Sequence, residues 1–212
     1  MGGMSSAPHA GHVEVFKART NKWFAGLAWA VAGFGLVVTA ATAGPAALAG
    51  TAPLLLIAFL GWQLFWMPAV VVHDGGVTLE NPFRSVLVPW AALVHVDTRF
   101  ALTLVTAEKS YTSWAAPAPG IWGGRNARPG DLQGLPATTY GPGKSVRPGD
   151  LKSTDSGQAA QLVRARWQAL VESGDLAAGD AATTAVQVTH RWAAVAAGVL
   201  LLAASVWAVA AK

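Results

Sequence analysis

The residues able to do chemistry are few and scattered. His9, His12 and Glu14 have a spacing that would suit a metal site, but no cysteine and no second ligand cluster joins them. A mobile polar tail accounts for them better than a metal site does. His73, His95 and His190 fall in a turn, a strand and a linker, and spacing alone assembles no shared site from them. Gly141-Pro142-Gly143-Lys144-Ser145 echoes a phosphate-binding loop. The glycine such a loop needs five residues before Gly143 is instead Thr138, and no strand–loop–helix pattern surrounds it. No nucleophile elbow, dinucleotide fingerprint or zinc-protease helix is present. The eleven acids sit mostly in turns. The expectation is no catalytic residue, no metal and no cofactor.

The remaining candidates suit contact rather than catalysis. Arg84, Arg99, Arg125, Arg128, Lys144 and Arg147 could meet anionic lipid, each basic group near such a surface gaining about 1 kcal/mol. Trp122 and Tyr140, lying among these basic residues, suit a protein interface, where aromatic and Arg side chains often anchor binding. The net charge of +4 is too mild to suggest nucleic acid, and no small-molecule substrate is implied.

These side chains must be positioned by a chain that is 53% hydrophobic and 12% charged, about half the charged fraction usual for a soluble domain. Residues 23–72 contain no Asp, Glu, Lys, Arg or His. One helix of that length would run about 75 Å, against a hydrocarbon core of ~30 Å. Gly44-Pro45 and Thr51-Ala52-Pro53 supply a break, so two spans are expected, 23–43 and 53–70. A third is expected at 192–211. Span ends carry Trp23, Trp62, Trp66, Trp192 and Trp207, as interfacial indoles do. No span holds an ionisable side chain, which argues against a transporter or pump. Gly26, Ala30 and Gly33 give the first span a face that another helix could approach closely, as do Ala194 and Gly198 in the third. Lys17, Arg19 and Lys22 precede the first span, and further basic residues lie between the second and the third. The positive-inside rule therefore places the N-terminus and residues 73–191 in the cytoplasm of a bacterial plasma membrane, with the C-terminus external.

Between the second and third spans, Val70-Val71-Val72, Val77–Glu80, Val86–Val88, Leu93–Asp97, Ala101–Val105 and Tyr111–Trp114 read as short strands at regular spacing. His73-Asp74-Gly75-Gly76 and Asn81-Pro82-Phe83-Arg84 read as turns. Residues 117–157 are Pro- and Gly-rich and read as a long loop. They hold Arg-Pro-Gly-Asp-Leu twice, at 128–132 and 147–151, as recurrent turn chemistry in preference to paired docking motifs. A helix follows, with Asp155 as its expected cap and Gln158 in capping-box spacing. Ala160, Val163, Trp167, Leu170 and Val171 form its apolar stripe, while Arg164 and Arg166 are expected to face elsewhere.

Antiparallel strands followed by one amphipathic helix outline a pleckstrin-homology-like (PH-like) domain. The stretch "GGVTLENPFRSVLVPWAALVHVD", with "FKARTNKWFAGLAWA" ahead of the paired spans, resembles the bacterial PH-like domain of small actinobacterial membrane proteins. The resemblance covers most of residues 15–115 and 158–172 and implies fold and location rather than a reaction. The expected architecture is an α+β membrane protein, with three transmembrane helices plus a PH-like antiparallel β-barrel or sheet capped by one amphipathic helix. Its parts are a tail at 1–22, two spans within 23–72, the domain at 73–116 and 158–174, the insert at 117–157, a linker at 175–191 and the last span at 192–211. The expected function is non-enzymatic: the domain mediates protein–protein contact as an accessory or scaffold subunit of a larger membrane complex. The alternative is an anionic-lipid sensor. An enzyme ranks last.

Overall fold

The computed structural model describes residues 13–43, 50–119, 148–174, 176 and 184–210. Strand β1 (Glu14–Phe16) leads into helix α1 (Arg19–Ala43). Helix α2 (Ala52–Gly61) continues into a π-helical segment, Trp62–Trp66. Then come β2 (Ala69–His73), β3 (Gly76–Asn81), β4 (Arg84–Pro89), a 3₁₀ turn (Trp90–Ala92), β5 (Leu93–Asp97), β6 (Ala101–Thr106) and β7 (Ser110–Pro117). A second 3₁₀ turn (Pro148–Asp150) precedes α3 (Asp155–Glu172), β8 (Gln187–His190) and α4 (Trp192–Ala210).

The strands make two antiparallel sheets among the described residues, ordered β1-β2-β3-β4-β8 and β5-β6-β7. They do not close into the barrel that was one form of the expected domain. Alternation decides which side chains meet between the sheets. Val70 and Val72, Val77 and Leu79, and Val86 and Val88 are fully buried on one side, facing Leu102, Leu104 and Ala115 of the second sheet. Helix α3 completes this core with Ala159, Ala160 and Val163. The β2–β3 hairpin is tight because Gly76 has φ +151°, and a Cβ there would lie 2.3 Å from the Val88 carbonyl oxygen. The indole of Trp90 is buried beside this hairpin and donates to the His73 carbonyl at 2.9 Å.

The register of the five-stranded sheet fixes where the helices leave it. Phe16 pairs with Val70, Ala69 with Glu80, Asn81 with Arg84, and Arg84 with His190. These residues form one row at one end of the sheet. From that row α1 leaves after Lys17-Ala18, α2 arrives through Met67-Pro68, and α4 leaves after Arg191. Strands β1 and β8, which the sequence places in a tail and a linker, are the two edges of the sheet.

Among the described residues two helices are long and apolar enough to cross a bilayer, at Arg19–Thr42 and Trp192–Ala210, and only 11% of each apolar window is buried. The second expected span is shorter than the sequence suggests. Ala52–Trp66 is the helical part, roughly 22 Å at the α-helical rise, and Ala69–Val72 belong to β2 instead. Helix α1 meets α2 along Ala25, Ala28 and Gly35. A Cβ on Gly61 would lie 2.7 Å from the Ala28 methyl, and one on Gly35 2.7 Å from the Leu54 side chain. Gly26 and Gly33 have open space around them, so the small-residue face expected in α1 is not the one used inside the molecule. Gly198 packs near Phe59. Thr39, Thr42 and Ser205 return their hydroxyl protons to carbonyls one turn back, at 2.8, 2.8 and 2.6 Å.

The segment leading into α3 differs from expectation in three ways. Its cap is Thr154, whose hydroxyl accepts from the Gly157 amide at 3.0 Å, not Asp155. Residues 148–157, assigned by sequence to the insert, are built into the domain. Arg164 does not face outward: it is buried and pairs with Asp150 at 2.8 Å. The same Asp150 oxygen accepts from the Thr98 hydroxyl at 2.8 Å, and Arg164 also donates to the Val96 carbonyl at 2.9 Å. Gly149 makes the close approach possible, since a Cβ on it would sit 2.0 Å from the Thr98 carbonyl oxygen. Pro148–Leu151 of the second Arg-Pro-Gly-Asp-Leu copy are thus a structural plug, while Arg147 and the whole first copy lie outside the described residues. Burial raises the pKa of half-buried Asp155 above its ordinary value. Its folded-state pKa exceeds the unfolded one, so its contribution is fully favourable below the ordinary carboxylate range and is lost as pH rises through the folded value.

Arg164→Met strands the Asp150 carboxylate, and the expected loss is about 3–5 kcal/mol. Thermal unfolding of the purified full chain in detergent checks this. The Asp150→Leu/Arg164→Met double variant is expected to recover a large part of the loss, since it leaves no unpaired buried charge.

Candidate functional site

The row where the helices meet the sheet is also where the polar groups converge. A helix end leaves its last carbonyls without intrahelical partners. At the end of the π-helical segment other elements supply donors. The Trp114 indole donates to the Leu64 carbonyl at 2.7 Å, and the Lys17 ammonium approaches the Trp66 carbonyl at 3.5 Å. Gln63, buried, donates its side-chain amide to the Pro82 carbonyl. Trp29 of α1 packs on Trp62 and Trp66, with ring centroids 6.3 and 5.2 Å away, and its indole donates to Ala58 at 3.1 Å.

The β3–β4 turn, Asn81-Pro82-Phe83-Arg84, is the hub of this junction. Asn81 is buried and links the two sheets, donating to the Thr112 carbonyl at 3.0 Å and accepting from the Trp114 amide at 2.7 Å. The Phe83 carbonyl accepts from the Arg191 amide at 2.9 Å. The Arg191 side chain forms an ion pair with Glu80, which also accepts from the Ser85 hydroxyl.

These contacts border an open pocket of about 450 Å³, within the size range of small-ligand sites. Leu64 lines it from the π-helical segment, the turn residues 81–84 from the sheet, Thr112, Ser113 and Trp114 from β7, and His190 from β8. Arg84 and His190 are direct partners across the β4–β8 ladder, which puts both side chains on one face. Among the described residues the Arg84 guanidinium has no ion-pair partner. A second groove, of about 620 Å³, lies between β1 and α3, lined by Phe16, Gln158, Leu162 and Arg166 among others.

The opposite end of the same sheet differs in character. There the β2–β3 hairpin carries Asp74, paired with Arg166 of α3 at 2.5 Å. The sequence-derived candidates are likewise divided. Arg84 is at the helix end. Arg99 is exposed in the β5–β6 turn beside exposed Phe100, and lines neither cavity. Trp122, Arg125, Arg128, Tyr140, Lys144 and Arg147 lie outside the described residues, as do His9 and His12. The sequence reading did not single out Leu64, Asn81 or Trp114 for this site. Of these, Asn81 left a trace as part of a turn signal and Trp114 as the end of an expected strand.

Residues 67–150 match the family model for a bacterial PH domain. A bacterial PH-like domain is therefore present over part of the chain. The match begins at Met67, where the π-helical segment ends, and stops at Asp150, the buried partner of Arg164. No curated protein and no solved structure matches the chain. The sequence has no cysteine, and the described residues hold no group of His, Asp and Glu suited to a metal ion.

Asn81→Ala leaves the Thr112 carbonyl and the Trp114 amide without their partner, at a cost of roughly 1–3 kcal/mol for each orphaned group that stays dry. Trp114→Phe keeps a ring but loses the bond to Leu64, and is expected to cost about 1 kcal/mol. Thermal melts of the full chain in detergent should rank the two in that order.

Proposed function

We propose that this chain is a non-enzymatic, multi-pass protein of the bacterial plasma membrane whose PH-like domain serves protein contact, as an accessory or scaffold subunit of a larger membrane complex. The observation that carries this reading is the common row from which all three helices leave the sheet. With those helices in the bilayer, the domain is held at the membrane by covalent connectors and needs no lipid affinity to be recruited. A tether also raises the effective concentration of any partner in the same membrane. The distribution of Lys and Arg supports a cytoplasmic domain and an external C-terminus.

The helices support association with other spans. Phe34, Leu200 and Trp207 are 73%, 70% and 67% exposed, an apolar surface that lipid or other spans would cover. Ala25, Ala28 and Gly35 of α1 are committed to α2, whereas Gly26, Ala30 and Gly33 are open. Small residues let helix backbones approach closely in a bilayer. The alternative, sensing of anionic lipid, draws on the same end of the sheet, where Lys17, Arg19 and Arg84 gather.

Solubilisation of native membranes in mild detergent tests the accessory reading. Co-purification with larger subunits in fixed stoichiometry is the expected result, and migration as a lone monomer contradicts it. Gly26→Leu and Gly33→Leu should leave the melting temperature unchanged and reduce partner recovery several-fold. Gly61→Leu should lower the melting temperature, because it collides with Ala28.

A further inference from the structure

We infer that the groove between β1 and α3 takes an extended juxtamembrane segment of a partner membrane protein, which joins the sheet as a further strand beside β1. The inference rests on the accessory-subunit reading above and names what such a partner presents.

The order β1-β2-β3-β4-β8 leaves β1 and β8 as the edges of this sheet among the described residues. An edge offers backbone donors and acceptors to any strand that reaches it. The two edges differ. Three of the four side chains of β8, Gln187, Thr189 and His190, are polar. At β1, by contrast, Val15 and the preceding Val13 are 56% and 59% exposed on one face. Glu14 and Phe16 turn to the other face and line the groove of about 620 Å³ with α3. Exposed β-branched side chains at an edge are what an added strand would cover.

The groove also holds donors without acceptors. Three buried side-chain nitrogens lack a hydrogen-bond partner among the described residues: Asn21 Nδ2, Gln161 Nε2 and Arg166 Nε. Two of these three residues, Gln161 and Arg166, line this groove. Leaving such donors dry and unpaired costs free energy, and the carbonyls of an extended chain are the acceptors that complement them. A terminal nitrogen of Arg166 is already held by Asp74, so the site does not call for a free anion. Its floor is apolar, from Phe16, Leu162, Ala165 and Ala169. From Gln158 to Ala169 the helix runs roughly 16 Å, the length of about five residues of strand. Such a groove takes backbone along the edge and an apolar side chain at alternate positions.

Topology excludes a second copy of this chain as a symmetric occupant. Like edges pair across a two-fold axis in antiparallel fashion. Every copy runs β1 toward the membrane, because α1 follows it after Lys17-Ala18. Two copies in one membrane therefore bring their β1 strands together in parallel. A partner chain emerging from its own span into the cytoplasm runs the opposite way, antiparallel to β1, as every other pairing in the sheet does.

The test places a photo-crosslinker in the full chain, as Gln158→p-benzoylphenylalanine and Ala169→p-benzoylphenylalanine, both at exposed groove positions. Native membranes are irradiated and the crosslinked peptides sequenced by mass spectrometry. Each position should join one partner protein at residues just C-terminal to a membrane span. Gln168→p-benzoylphenylalanine, exposed on the same helix but outside the groove, should not give this product. Combined with either groove crosslinker, Ala165→Trp fills the groove and should abolish the product. Gln161→Leu should reduce it about fivefold, the worth of one hydrogen bond, without lowering the melting temperature, since it removes an unpaired donor. If Ala165→Trp destabilises the fold, Gln161→Leu and the Gln168 control decide. Undiminished crosslinking in Gln161→Leu overturns the inference, as does an equal product from Gln168. A crosslink to a second copy, to a soluble protein or to residues far from any span overturns it too. Larger subunits that co-purify without any groove crosslink refute the groove alone, whereas a lone monomer without a crosslink refutes the accessory reading as well.

Discussion

Three connectors of one or two residues, Lys17-Ala18, Met67-Pro68 and Arg191, join three apolar helices to one end of one sheet. Peptide segments this short limit how far the sheet can swing against the helices. The sheet register enforces the arrangement, because a one-residue slip in β2 would turn Val70 and Val72 out of the core. The junction also meets the carbonyls that the end of the π-helical segment leaves without intrahelical partners. Trp114 and Lys17 supply donors to the Leu64 and Trp66 carbonyls, so the sheet completes the helix as much as the helix anchors the sheet.

Much of the fold was legible because its signals are periodic. The alternation in Val77–Glu80 and Ala101–Val105, the glycines at 75–76 and the turn at Asn81-Pro82 all have local causes. The edges of the sheet were not legible. Strand β1 has three residues, and β8 shows no burial alternation at all. Each exists because a neighbouring strand offers unpaired backbone groups, a property of the assembled sheet and not of residues 14–16 or 187–190. The end of the second helix was overestimated for a related reason. Absence of charge marks apolar surroundings but does not distinguish lipid from a sheet core, and Val70 and Val72 meet the core.

The candidate site was legible only in part. Arg84 drew attention as a basic residue in a turn, yet the pocket around it is assembled from the π-helical segment, three strands of the first sheet and one strand of the second. No spacing rule links Leu64, Trp114 and His190. Arg164 was misread because an arginine on an amphipathic helix usually faces solvent. What draws it inward is Asp150, delivered by a turn whose Gly149 can lie against the Thr98 backbone. The pairing depends on contacts across many residues of chain, and neither partner announces it alone.

The plug at Asp150 has one more consequence. The Ala118 amide donates to the Phe100 carbonyl at 3.0 Å, and Asp150 accepts from Thr98, so the chain leaves and re-enters the domain at the same β5–β6 corner. A stretch whose two ends are anchored side by side can change length cheaply, each doubling costing only ~0.6 kcal/mol of closure entropy. Residues 120–147 are accordingly a natural graft point, where a fluorescent reporter or an epitope could be spliced in while both sheets and all three helices keep their places.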